Sequence, residues 1–142
     1  MTTSSTDDRS LLIIGIKGYA VAVERETGAE RWRVKLEESW EGSPVELLVS
    51  GGVVYATGSS REVYWLDYAT GAQLRHVATT AASGRATLLL DESSLFVTRA
   101  GSVDCFSLDG VKRWHNELQE LGHGAIAMGF PDNVRQGDKD SR

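Results

Sequence analysis

Few side chains in this sequence are able to do chemistry, and they are scattered. Three histidines, His76, His115 and His123, could ligate a metal or act as a general base, but none has a partner imidazole at metal-binding spacing. His76 and His115 fall on apolar-polar strand patterns and read as surface or packing residues. His123, between Gly122 and Gly124, reads as a turn residue at the mouth of a strand and is kept as a possible binding residue. Cys105 lies in an apolar strand, where a thiol behaves as a small inert hydrophobe rather than as a nucleophile. The carboxylates Glu24, Asp67 and Asp109 stand at equivalent places in repeated segments, which indicates a turn role and not a catalytic pair. No phosphate-binding glycine loop, nucleophile elbow, zinc-binding histidine pair or calcium loop is present. The expectation is therefore a protein that is not an enzyme, with no catalytic, cofactor or metal site.

Composition narrows the partners. The 142 residues carry 15 Lys and Arg against 20 Asp and Glu, a formal charge of −5, and the cations occur singly. Nucleic acid and anionic membranes are thus not expected partners. Residues 1–9, MTTSSTDDR, are a flexible polar leader without the basic start and apolar stretch of a signal peptide. One cysteine forms no internal disulfide, and a reducing cytoplasm is the expected setting.

The elements that must position any site come from a repeat. Three segments resemble each other: Ala22-Val-Glu-Arg-Glu-Thr27-Gly28-Ala-Glu-Arg-Trp32, Trp65-Leu-Asp67-Tyr-Ala-Thr70-Gly71-Ala-Gln-Leu-Arg75, and a shortened Ser107-Leu-Asp109-Gly110-Val-Lys-Arg-Trp114. From Gly28 to Gly71 is 43 residues and from Gly71 to Gly110 is 39, the period of one four-stranded propeller blade. The pattern places an acid and Thr before a glycine able to take positive φ, as a tight hairpin requires, and the third segment loses about two of these turn residues. Strands are expected around these turns at 11–16, 19–24 and 30–36; 44–49, 53–57, 63–68 and 73–78; and 85–90, 95–99, 102–107 and 111–118. No segment has a helical period, so the fold class is all-β, with three blades at about 10–36, 37–80 and 81–118.

On these residues the repeat resembles the tryptophan-docking repeat of the quinoprotein-like (PQQ-like) β-propeller family, Ala-x-Asp-x-x-Thr-Gly-x-x-x-Trp. The resemblance gives Ala22, Thr27, Gly28, Trp32, Asp67, Thr70, Gly71, Asp109, Gly110 and Trp114 structural docking roles. Blade 2 departs from the pattern at Trp65 and Arg75, so its docking is expected to differ. Quinone-dependent dehydrogenases of the family resemble one another in a metal site beneath the cofactor and adjacent cysteines above it. This sequence has one cysteine and too few blades for that ring, and no cofactor is expected.

Three blades do not close a ring, since closed propellers have about four to eight. Only the polar leader precedes Leu11, so the first blade lacks its innermost strand, whereas an additional inner strand is expected at 122–131, before a polar tail at 132–142. The expected solution is a homodimer in which Ala125, Ile126, Met128 and Phe130 complete a first blade through Leu11 and Ile13 of a second copy, giving a six-bladed ring. Its function is read as a binding or assembly platform for a protein, with Trp40 on a blade-connecting loop as a possible anchor. The alternative is a small-ligand propeller with a pocket in its central channel.

Overall fold

The computed structural model describes residues 8–36, 44–118, 121 and 126–136. Every regular element among them is a strand. β1 (Leu11–Ile16), β2 (Tyr19–Glu24) and β3 (Glu30–Lys35) form a three-stranded antiparallel sheet. β4 (Glu46–Ser50), β5 (Val53–Thr57), β6 (Ser60–Asp67) and β7 (Gln73–Ser83) form a four-stranded sheet in chain order. So do β8 (Ala86–Asp91), β9 (Ser94–Arg99), β10 (Ser102–Ser107) and β11 (Lys112–Asn116), and β12 (Met128–Phe130) pairs with β13 (Asn133–Arg135) in a separate ribbon. Tight two-residue loops set most of the hairpin registers. Lys17 and Gly18, Gly51 and Gly52, and Ala100 and Gly101 all have positive φ, the geometry whose twist matches that of the flanking strands.

The acid-and-glycine turn joins β2 to β3, β6 to β7 and β10 to β11. This makes β1, β5 and β9 equivalent, and leaves β4 and β8 without a counterpart ahead of β1. Among the described residues the first sheet holds three strands, and no strand pairs with the outer edge of β1. Two strand lengths differ from the sequence reading: β6 begins at Ser60, and β7 continues to Ser83 instead of stopping at 78. In this continuation Thr79 accepts from the buried Arg99 and Thr80 donates to the buried Asp104, which explains how a polar stretch stays in the sheet.

The tail is the larger departure. The sequence makes residues 132–142 a polar tail, but Pro131 and Asp132 form a hairpin turn and Asn133–Arg135 is a strand. Asn133 reads as a terminal polar residue in sequence, yet its Nδ2 donates to the Leu90 carbonyl at 2.6 Å and to Asp91 Oδ1 at 3.0 Å. β12–β13 thus opens a further repeat, with a loop of the same length as those joining β4 to β5 and β8 to β9.

The chain divides into two compact units, Met1–Gly58 with Val63–His76, and Ser59–Glu62 with Val77–Arg142. In the first, Leu11, Ala20, Ala22, Trp32, Leu36, Val54, Ala56, Leu66 and Tyr68 form one buried cluster. In the second, Leu88, Leu89, Leu95, Val97, Cys105 and Phe106 are buried with Arg99 and Asp104. Along β2 alternation buries Ala20 and Ala22 on one face, whereas Leu88 and Leu89, and Cys105 and Phe106, are consecutive, so β8 and β10 bury side chains on both faces.

Candidate binding surface

The repeated turns are built from their own side chains. In the first, Thr27 Oγ1 donates to Glu24 Oε1 at 2.7 Å and accepts from the Ala29 amide, while the Gly28 amide donates to the Glu24 carbonyl at 2.8 Å. In the second, Asp67 Oδ2 accepts from both the amide and the hydroxyl of Thr70, and the Gly71 amide donates to the Asp67 carbonyl at 2.8 Å. These carboxylates are consumed by turn geometry, as their repetition implied. The third turn is shorter and corrects the reading of Asp109. There Ser107 takes the acid's place, its Oγ accepting from the Val111 amide at 3.1 Å and its carbonyl from the Gly110 amide, while Asp109 is exposed.

Trp32 shows what the second turn is for. Its Nε1 donates to the Tyr68 carbonyl at 2.9 Å, and its ring lies so close to Gly71 that a β-carbon there would sit 2.6 Å from Cδ2. Only glycine fits beneath this indole, and at φ +79° only glycine takes the conformation without strain. Tyr68 also staples the turn to the neighbouring sheet, its hydroxyl bonding both the amide and the carbonyl of Leu11 at 2.8 Å. Opposite Trp32 stands Ala22, wholly buried, and opposite Trp114 stands Cys105, buried and small. In blade 2 the sizes are exchanged: Trp65 is inside against Tyr55, edge to face at 5.4 Å, and Arg75 is exposed.

The first turn is vacant by comparison. A β-carbon on Gly28 would meet nothing within 4 Å. A cavity of about 650 Å³ opens over it, lined by Leu12, Val23, Glu24, Arg25 and Gly28 together with β1 and the Gly51–Gly52 turn. From it extends an apolar face on β1 and β2. Leu12, Ile14 and Ile16 are exposed by 58%, 36% and 51%, and they stand opposite Val23, Val21 and Tyr19. Leu11 and Ile13, expected to serve closure, point instead to the other face, where they pack in the unit's core. A period of two places neighbours on opposite faces, so the exposed set is shifted by one residue from the one named. At the rim, Arg33 holds Glu30 through two bonds of 2.8 Å and lies over the Tyr19 ring. That pairing keeps the Glu30 carboxyl below its usual range.

Within the second unit, Trp114 is 48% exposed against 8% for Trp32. It leans on Phe96, which in turn meets Phe130 of β12 at 5.3 Å. β12 gives one edge to β13, so the strand exchange expected of Ile126, Met128 and Phe130 would have to displace that pairing. His76 is exposed on β7 against Tyr64, and His115 is exposed on β11. Trp40, His123 and Ala125 lie outside the described residues. Sequence reasoning missed a buried polar cluster. Asp104 accepts from the amide and hydroxyl of Thr80 at 2.8 and 2.6 Å and faces Lys112 Nζ at 3.6 Å, while Arg99 bonds Thr79 Oγ1 and the Gly84 carbonyl. An acid and an arginine within apolar strands were the available signal. Among the described residues no group of His, Cys, Asp and Glu could hold a metal ion.

Repeated antiparallel sheets joined by acid-and-glycine turns, one of them capped by an indole, define a segment of a PQQ-like β-propeller. Residues 3–138 match the family model described as outer membrane protein assembly factor BamB, and the chain belongs to that family. Among solved structures it is similar to BamB from Moraxella catarrhalis, at 28% identity and a TM-score of 0.61 over 84% of this chain and 36% of that one. It also shares the fold of a europium-containing methanol dehydrogenase, at 12% identity and a TM-score of 0.60, over 76% of this chain and 23% of that one. The chain therefore spans about a third or less of the length of these relatives. No curated protein matches it.

Proposed function

We propose that the chain is a non-catalytic binding or assembly platform whose blades complete a propeller by association with a second copy. The exposed apolar face of β1 carries this reading: Leu12, Ile14 and Ile16 belong to a blade, and a blade in a propeller is covered on both faces. Membership of a family described as an assembly factor supports the platform role, and the carboxylates of the first two repeated turns are engaged in turn hydrogen bonds. In the assembled form β12 supplies the inner strand for β1 of the other copy, and β13 gives up its pairing to make room.

The test is the solution mass by light scattering against the chain mass of 15.5 kDa. A mass of two chains that falls when residues 125–142 are removed is the expected result. A single-chain mass at all concentrations would overturn the self-association, and an unchanged dimer after the deletion would overturn the role of β12.

A further inference from the structure

We infer that the turn at Gly28 is a docking slot for an indole and that its occupant is Trp114 of a second copy. This deepens the self-association proposed above and rests on it. The chain makes this contact once already, which supplies the template: an indole from β3 covers Gly71 and bonds the next carbonyl after the turn's acid, that of Tyr68. At the first turn every part recurs except the indole. Gly28 has the same φ, +78° against +79°, and Glu24 and Thr27 hold the same hydrogen-bonded turn. The Arg25 carbonyl follows the turn's acid as the Tyr68 carbonyl does and accepts no bond among the described residues, and Glu24, Arg25 and Gly28 form part of the wall of the 650 Å³ cavity.

The missing part is displayed elsewhere in the sequence. Trp114 follows Gly110 at the interval by which Trp32 follows Gly28, and it is half exposed. Like Trp32, it faces a small residue across the sheet, and its Nε1 donates no hydrogen bond among the described residues. An indole N–H without an acceptor and a carbonyl without a donor are complementary. Two copies related by a two-fold axis satisfy both slots at once, each giving Trp114 and receiving the other's. The contact continues an interface the chain has already built.

The experiment compares wild type, Trp114→Ala and Gly28→Asn by light scattering over a concentration series, with a urea melt of each. Asparagine tolerates the positive φ and fills the open space over the turn, so both variants keep the fold of the single chain. Each variant is expected to raise the concentration of half-assembly by roughly tenfold or more, the usual loss for a buried aromatic anchor. Mixing the two variants restores one intact contact per pair, so the mixture assembles at lower concentration than either alone. Variants that assemble like wild type would overturn the docking slot while leaving self-association intact. Loss in both without recovery on mixing would also overturn it, and a wild type that never exceeds one chain would overturn both proposals.

Discussion

At the scale of single residues, two turn glycines of nearly identical φ differ in what lies above them, and this gives a sharp contrast. Gly71→Ala must both strain the backbone and push the Trp32 ring from 2.6 Å, and is expected to destabilise by at least about 2 kcal/mol. Gly28→Ala carries the strain alone, about 1 kcal/mol, because its β-carbon enters open space. Urea unfolding of the two variants side by side checks this. The Asp104 cluster is a second residue-scale feature. Removing that carboxylate orphans the Thr80 amide and hydroxyl and takes the partner from Lys112, so Asp104→Ala is expected to cost about 3 kcal/mol in the same assay. Tyr55 adds a pH dependence. Burial raises its phenol above the ordinary value near 10, so the neutral form is favoured in the folded chain. Its contribution is complete below that value and is lost as pH rises through the raised one, where the unfolded phenol is already ionised. Tyr55→Phe keeps the packing against Trp65 and should flatten the loss of stability in alkaline melts.

At the scale of elements, the ribbon β12–β13 is held by few bonds, and Asn133 supplies two of them to β8. Asn133→Ala should therefore speed hydrogen exchange of the amides at 128–135 while leaving those of β9 and β10 unchanged. A uniform change across β8–β11 would mean that the ribbon is part of the same cooperative sheet. The four-stranded sheets were legible because strand and turn signals are local: alternation fixes a buried face, and the turn residues fix the hairpins. The continuation of β7 through Thr79 and Thr80 was not legible, since polar residues there are stabilised by Asp104, Arg61 and Lys112, which lie far away in sequence. β13 was missed for the same reason, its polar first residue being bound to β8.

At the scale of the whole molecule, the exposed apolar face of β1 and the exposed Trp114 are the features on which the proposed self-association rests. Trp114→Ala is expected to change assembly far more than folding, whereas Trp32→Ala, which empties a buried site, should lower stability by about 3 to 5 kcal/mol. Comparing unfolding midpoints with light-scattering masses separates the two effects. By itself the sequence determined the all-β class, the blade period and the three turns, because each of these follows from local pattern and repeated spacing. Tertiary structure alone decided that Trp32 is covered and Trp114 is not, that Gly28 lies open while Gly71 is capped, and that Leu12, Ile14 and Ile16 form the free face. The two tryptophans have the same motif and the same local conformational preferences. What separates them is whether another turn, with its glycine and its carbonyl, is brought against the indole.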